Sequence, residues 1–367
     1  MKKTELKINT KTKKYSVFVG SNILKSFSKI CSKKKIFFEK SLIIIDKNIP
    51  NFFKKKLINN VRSKKKILYI FNANEKNKNL KSTRIIHRLL FKNKFNREDC
   101  IISFGGGITG DVTGFAASTF KRGIKFINIP TTLLAQVDSS IGGKTGVNNE
   151  YGKNQIGSFY HPDLVISDTS LLNSLPIREI ICGYAEILKS SLIDSKQSFE
   201  YLDKNLNSLL KLKTSFIQKA ITSSCNLKKK IVIKDEKEKN LRKVLNLGHT
   251  FAHAYEATLG YSKKLNHGEA VILGIKNAIK YSKKIKLLSE KNYILIDNHL
   301  NKLKINNKFK KIFKIKDINK ILKFMKLDKK NKSDKVNLIL IKNFGQIKTN
   351  YQTNHNNIKK FLYKEFK

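Results

Sequence analysis

The sequence predicts an α/β fold: an open, parallel-rich sheet in the first half of the chain, then a mainly α-helical domain. Two observations carry this. Up to about Ser170, short apolar runs ending at Gly, Asp or Pro alternate with helical stretches. Beyond it glycine is sparse, and long segments carry the apolar period of a helix.

The elements follow in order. Tyr15–Gly20 alternates and stops at glycine, as a strand does. Ser41–Asp46 and Lys66–Phe71 are short apolar runs, the pattern of strands buried on both faces. Cys100–Phe104 is a third and runs into Gly105-Gly106-Gly107; Gly123–Ile129 is a fourth, stopped by Pro130. Helices are predicted over Arg178–Leu192, Phe199–Lys213, Thr214–Lys230, His249–Leu259 and Gly268–Lys284. Val336–Ile341 reads as a returning strand in a lysine-rich C-terminal region. The change of character falls within Pro162–Leu175, which sets domains at residues 1–168 and 169–367.

Composition narrows the function. Apolar residues make up 40% of the chain, enough for a sizeable core despite 28% charged residues. No apolar run reaches membrane-spanning length, and Met1–Lys7 is not followed by the apolar segment of a secretory signal. Cys31, Cys100, Cys182 and Cys225 are widely spaced, form no CxxC, and suit a reducing, cytoplasmic setting as buried thiols. The net charge of +49 would ordinarily suggest nucleic acid. Only seven of the 76 basic residues are arginine, however, and the lysines are scattered with no basic stripe. We attribute the excess to a coding bias towards AAA, AAT and ATT codons, which ordinary AT content in the coding sequence would refute. The charge still steers anionic small substrates towards the protein.

Several segments carry chemistry. Gly105-Gly106-Gly107-Ile108-Thr109-Gly110-Asp111 joins a strand to a helix, where glycines let a phosphate approach the backbone; an ordinary tight turn explains it equally well. Asp46 ends an earlier strand and suits a ribose hydroxyl or a plain turn. Pro130–Asn148 concentrates hydroxyls, glycines and Asp138 and holds a single lysine, Lys144, in a chain that places lysine everywhere else. Its Gly-Gly-Lys-Thr is not a P-loop, because Asp138 stands where the first glycine is required. Lys153 and Asn154 are adjacent polar groups, and a solvated charge is the plainer reading of Lys153. Glu186 and Lys189 share a face of an otherwise apolar helix, as a surface pair or as groups aimed into a site.

Three of the seven histidines fall within nineteen residues: His249, His253 and His267. The four-residue step from His249 to His253 puts both on one helical face, the spacing of a two-histidine metal site. Glu186 and Glu269 are both available as a carboxylate ligand. Spacing does not choose between these sets, nor exclude three unrelated histidines.

Together these segments resemble the 3-dehydroquinate synthase family of sugar-phosphate cyclases. The matching motifs run in family order: GGGxxxD at Gly105–Asp111, PTTLLAQVDSSIGGKTGVN at Pro130–Asn148, KNxIGxF at Lys153–Phe159, RExxxGxAExxK at Arg178–Lys189, DExExxLRxxLNxGHT at Asp235–Thr250 and HGEAVxxG at His267–Gly274. Beyond Gly274 only Leu327–Lys330 matches, weakly. Ala252 replaces a family glycine, and Asp334 replaces another, which leaves open whether Lys329 or Lys330 meets substrate.

The resemblance implies a Rossmann-like NAD-binding domain followed by a helical metal- and substrate-binding domain. It implies zinc or cobalt on Glu186, His249 and His267, with His253 left to move protons and contact substrate. NAD contacts would fall on Asp46, Glu75, Lys78, Gly107, Ile108, Thr109, Gly110, Asp111, Thr131, Thr132, Lys144, Lys153, Leu171, Leu172, Asn173 and Ser174. Substrate contacts would fall on Asp138, Lys144, Lys153, Asn154, Lys189, Lys228, Arg242, Asn246 and His253, with Arg122 reaching across a homodimer. Glu238 would accept a proton, and Lys144, Asn154, Lys189 and Arg242 would join it in catalysis.

The implied substrate, 3-deoxy-D-arabino-heptulosonate 7-phosphate, is anionic at both ends, which suits Lys and Arg. A metal-dependent alcohol or glycerol dehydrogenase would not need those cations. An aminocyclitol-forming cyclase would keep the phosphate contacts and lose the carboxylate grip of Lys228 and Arg242. Specific nucleic-acid binding leaves the Pro130 segment unexplained, and no membrane partner is implied.

Overall fold

The computed structural model describes residues 3–305, 311–326 and 335–366. Contacts divide the chain into two compact units: Met1–Gly183 with Asn207–Glu238, and Tyr184–Leu206 with Lys239–Lys367.

The first unit is built on a seven-stranded sheet. Its elements are β1 (Thr4–Asn9), β2 (Lys14–Gly20), α1 (Phe27–Lys33), β3 (Lys40–Asp46), α2 (Asn51–Asn60), β4 (Lys65–Phe71), α3 (Leu80–Lys92), β5 (Cys100–Gly105), α4 (Gly107–Thr119), β6 (Lys125–Pro130), the hairpin β7 (Lys144–Asn149) and β8 (Gly152–Phe159), and β9 (Leu164–Asp168). The helices α5 (Ile177–Asp194) and α6 (Lys196–Leu210) carry the chain across the division, and α7 (Thr214–Lys234) returns to this unit. The sheet order is β1-β2-β9-β6-β5-β3-β4, parallel except for β1.

Alternation along each strand separates two cores. Ile43, Ile45, Ile102, Phe104, Ile127 and Ile129 point to one face, with Phe27 and Leu57. Leu42, Ile44, Ile101 and Phe126 point to the other, with Ile86, Leu90 and Val112. A sheet covered on both faces is why these strands read as unbroken apolar runs. The predicted strands Tyr15–Gly20, Ser41–Asp46, Lys66–Phe71 and Cys100–Phe104 lie within β2 to β5, and Gly123–Ile129 begins two residues before β6.

Other strands were not legible. β7 and β8 are polar and form a separate two-stranded sheet within and beyond the Pro130 segment. β9 lies in the stretch taken for the domain junction, yet pairs between β2 and β6. The contact division departs from a single cut after residue 168 because α7 packs against β1 and β2 and so returns to the first unit.

The second unit contains α8 (His249–Thr258), α9 (His267–Lys284), α10 (Glu290–Lys302), α11 (Ile318–Lys326), the hairpin β10 (Lys335–Asn343) and β11 (Gln346–Asn354), and α12 (His355–Phe366). The strand expected at Val336–Ile341 lies in β10 and pairs with its chain neighbour β11, not with the large sheet. Two glycines bring α8 and α9 together. Gly248 turns into α8 at φ +78°, and a Cβ on Gly274 would lie 2.2 Å from the Gly248 carbonyl oxygen. Ala252 is fully buried at this crossing, so its extra methyl is accommodated. No helix among the described residues is long and apolar enough to cross a membrane. Leu327–Lys330 and Asp334 lie outside the described residues.

Candidate functional site

In the first unit, the strand order reverses between β3 and β5: β3 is followed by β4 on one side, and β5 by β6 on the other. Open α/β sheets bind ligands at the carboxyl ends of such strands. Asp46 ends β3, and Gly105–Gly107 lead from β5 into α4. The N-terminus of α4 carries no side-chain cap, which leaves its positive end for an anion. The glycines have distinct roles. A Cβ at Gly105 would strike Thr109 Oγ1 at 2.5 Å, and one at Gly107 would meet Ser139 Oγ at 3.1 Å. Thr109 is thus a buried packing partner of Gly105, while Gly110 faces Asn128 on β6. Ile108 packs on the second core. Burial raises the Asp46 carboxyl above its ordinary pKa, against hydrogen bonds from Asn48. These features fit a dinucleotide.

Further cofactor candidates surround this end. Lys78 Nζ lies 2.5 Å from both Asp111 Oδ2 and Asn154 Oδ1. Burial holds the Asp111 carboxyl above its ordinary value even beside Lys78. Glu75 accepts from Asn148 at 2.8 Å and pairs with Lys153 at 3.1 Å; burial raises its pKa, but these partners bring it below the ordinary value. Thr131 N–H donates to Gly105 O, and Thr132 Oγ1 accepts from Ala135 N. Leu171, Leu172, Asn173 and Ser174 form a 3-10 turn after β9. Leu171 and Leu172 are core residues, so any cofactor contact there is left to backbone and to Asn173 or Ser174.

Among the described residues only three lysines are buried: Lys78, Lys189 and Lys228. In so lysine-rich a chain this selects them, because a buried ammonium must be paired. Each faces a carboxylate: Asp111, Glu186 and Asp138 respectively. Lys228 Nζ also donates to the Asp138 carbonyl at 2.5 Å. Exposed Lys144, at the start of β7, pairs with Glu238. Glu238 and Asn154 adopt left-handed backbone at φ +55° and +54°, a conformation Asn tolerates and Glu rarely takes.

The second unit gathers the metal candidates. Glu186 on α5, His249 at the start of α8 and His267 at the start of α9 bring one ligand atom each within 4.8 Å of one another. Glu186 Oε1 is buried, has no hydrogen-bond partner among the described residues, and lies 3.7 Å from His249 Nε2 and 3.9 Å from His267 Nε2. His249 Nδ1 is 3.3 Å from Leu247 O, and His267 Nδ1 is 3.2 Å from Glu256 Oε2. With Nδ1 of each ring directed to an oxygen, Nε2 is the ring atom turned towards Glu186, the orientation a metal ligand needs. Burial, with Lys189, His253 and His267 nearby, drives the His249 pKa well down. At His267 burial is outweighed by Glu256 and Glu186, and the pKa rises. The donor set fits a divalent cation with an open position.

The remaining candidates separate. His253 is exposed on α8, its ring centroid 5.2 Å from that of His249 and 6.5 Å from that of His267, and it is not one of the three clustered donors. Glu269, the other carboxylate weighed, is used in a capping box: it accepts from Asn266 N at 2.9 Å. Arg242 is buried and Asn246 ends the same 3-10 turn, Leu241–Asn246. Arg122 is exposed at φ +65°.

Two groups escaped sequence reasoning. Glu256 follows His249 by seven residues and His253 by three, so helical spacing could have found it. His161 and Glu236, paired at 2.8 Å, are 75 residues apart; Glu236 stands in the Asp235–Thr250 motif, but nothing local joins it to His161.

Residues 68–182 match the family description "3-dehydroquinate synthase N-terminal", and residues 183–331 match "3-dehydroquinate synthase C-terminal". A 3-dehydroquinate synthase from Pelagibacter ubique is 56% identical over 361 residues, covering 98% of each chain. The crystal structure of 2-deoxy-scyllo-inosose synthase complexed with carbaglucose-6-phosphate, NAD+ and Co2+ is 26% identical, with a TM-score of 0.86 over 98% of this chain and 99% of that one. ValA, a 2-epi-5-epi-valiolone synthase from Streptomyces hygroscopicus with NAD+ and Zn2+ bound, shares the fold at 21% identity, with a TM-score of 0.81 over 96% of each chain. By these matches along its length, the chain belongs to the 3-dehydroquinate synthase family.

Proposed function

We propose that this chain converts 3-deoxy-D-arabino-heptulosonate 7-phosphate to 3-dehydroquinate and phosphate, a step of the shikimate pathway to aromatic amino acids. The observation that carries it is the set of cations held against the chain's own carboxylates, in a chain 56% identical to such an enzyme. An anionic substrate replaces those carboxylates as counter-charge; a neutral polyol does not.

With NAD and a divalent metal (zinc or cobalt) bound, the enzyme gains a hydride acceptor that is regenerated and a Lewis acid for the C5 hydroxyl. Residues 1–168 are the NAD-binding domain and residues 169–367 the metal- and substrate-binding domain. Asp46, Glu75, Lys78, Gly107–Asp111, Thr131, Thr132 and Leu171–Ser174 hold the nucleotide. Glu186, His249 and His267 hold the metal. Lys144, Lys153, Asn154, Lys189, Lys228, Arg242 and Asn246 bind and orient the substrate's carboxylate, phosphate and hydroxyls. Oxidation at C5 acidifies the neighbouring proton, which allows phosphate to leave by elimination. Reduction, ring opening and an intramolecular aldol closure follow, with no net redox change. Glu238 and His253 accept and return protons in these steps. The enzyme works in the cytoplasm as a homodimer, Arg122 reaching the partner's substrate.

The test incubates the protein with the heptulosonate phosphate, catalytic NAD and Co2+ or Zn2+, and measures phosphate and dehydroquinate together. Stoichiometric formation of both is expected. No phosphate release with metal content verified, or release from glucose 6-phosphate alone, refutes the reading.

A further inference from the structure

We infer that the buried pair His161–Glu236 is a positioning device for Lys144 and Glu238. The inference rests on the proposed role of Glu238 as a proton acceptor.

Glu236 and Glu238 lie just past the end of α7. Glu236 is buried, and its carboxylate is held three ways: Lys11 N donates to Oε2 at 3.1 Å, Thr12 Oγ1 donates to Oε1, and His161 Nε2 lies 2.8 Å from Oε1. These partners pin the segment to the β1–β2 turn and to the residues following β8. Burial raises the Glu236 pKa, and the three partners bring it below its ordinary value.

His161 acts on the other partner. It is buried and lies directly against Gly143, where a Cβ would come within 2.8 Å of its Nδ1. Gly142 and Gly143 both take positive φ, +99° and +67°, and the next residue is Lys144. The imidazole therefore supports the turn that sets the direction of Lys144. Its hydrogen bond to Glu236 supports the segment that presents Glu238, itself in a left-handed conformation its neighbours must enforce. One buried pair thus fixes both ends of the Lys144–Glu238 ion pair. Neither His161 nor Glu236 touches the reacting groups in this scheme; they act through Lys144 and Glu238.

The experiment measures kcat and KM for phosphate release by holoenzyme variants Glu236→Gln, Glu238→Gln, their double variant, His161→Gln and His161→Ala. Misplacing a catalytic group by about 1 Å costs up to about a hundredfold in rate, so Glu236→Gln is expected to lower kcat about tenfold or more, with a smaller rise in KM from the displaced Lys144. The double variant is expected to lose less than the product of the two single losses, because Glu236 acts in part through Glu238. His161→Gln, which keeps an N–H donor, is expected to retain more activity than His161→Ala. Parental kcat in Glu236→Gln and in both His161 variants, with Glu238→Gln impaired, overturns the positioning role alone. Additive losses in the double variant overturn it too. Parental kcat in Glu238→Gln overturns the proton-acceptor reading and this inference together. If Glu236→Gln does not fold, the two His161 variants carry the same decision.

Discussion

Gly274→Ala tests whether the α8–α9 crossing sets the spacing of the two histidines that begin those helices. The added Cβ would lie 2.2 Å from the Gly248 carbonyl oxygen and 3.1 Å from Ala252 N. A carbon seldom approaches a carbonyl oxygen closer than about 3.3 Å, so the helices must part by roughly 1 Å. Backbone cannot rotate aside as a side chain can, which places the overpacking penalty near the top of its usual range, about 3 kcal/mol. Alanine recovers about 1 kcal/mol of helix propensity, leaving a net loss of about 2 kcal/mol. For a unit of this size that lowers Tm by about 4–8 °C. Metal affinity suffers separately, because ligand distances tolerate only about ±0.2 Å. Calorimetry of the metal-free protein and Co2+ titration against a chelator read the two effects. Unchanged Tm and Co2+ affinity in Gly274→Ala would show that this crossing does not hold His249 and His267 in register.

Three further outcomes are expected. His267→Ala loses metal, whereas His253→Ala keeps it and loses turnover by about a hundredfold or more, read by metal analysis and phosphate release; equal metal loss in both would restore the His249–His253 helical pair. Glu256→Ala weakens Co2+ binding by about 10–100-fold, and Glu256→Gln weakens it less because its amide oxygen still accepts from His267 Nδ1; the chelator titration decides. His299 is fully buried and bonded to Tyr184 and Asp203, and burial lowers its pKa despite Asp203. The unfolded chain then binds the extra proton first, so this group's contribution is present above about pH 6.5 and is lost as pH falls towards the lowered folded value. His299→Gln is less stable at neutral pH but loses less between pH 7 and 5; parallel Tm profiles for the two proteins would refute this.

The strands β2 to β6 were legible because a parallel sheet covered on both faces demands apolar residues at every position of the run. The hairpin β7–β8 was not, since its residues are polar and half exposed and its pairing is set by Gly146 against Gly157, where any Cβ would strike backbone. β9 is five residues long, and nothing local shows that it inserts between β2 and β6. The five predicted helices, α5 to α9, appeared within a few residues of their expected ends, because their amphipathic period spans several turns; α10 to α12, in the lysine-rich C-terminal region, were not predicted.

The sequence by itself determined the fold class, the family motifs and the list of residues able to do chemistry, since periodicity and local spacing are properties of one chain segment. Spacing alone left His249, His253, His267, Glu186 and Glu269 as open ligand candidates, and only the family resemblance chose Glu186, His249 and His267. Tertiary structure separated them: Glu269 caps α9, His253 stands outside the three-donor cluster, and Glu186 turns an unpartnered oxygen towards two Nε2 atoms. Only packing also revealed which of the many lysines are buried and paired, and that Glu236 and His161 meet. Burial and long-range pairing arise from contacts between segments distant in sequence, and no window of residues contains them.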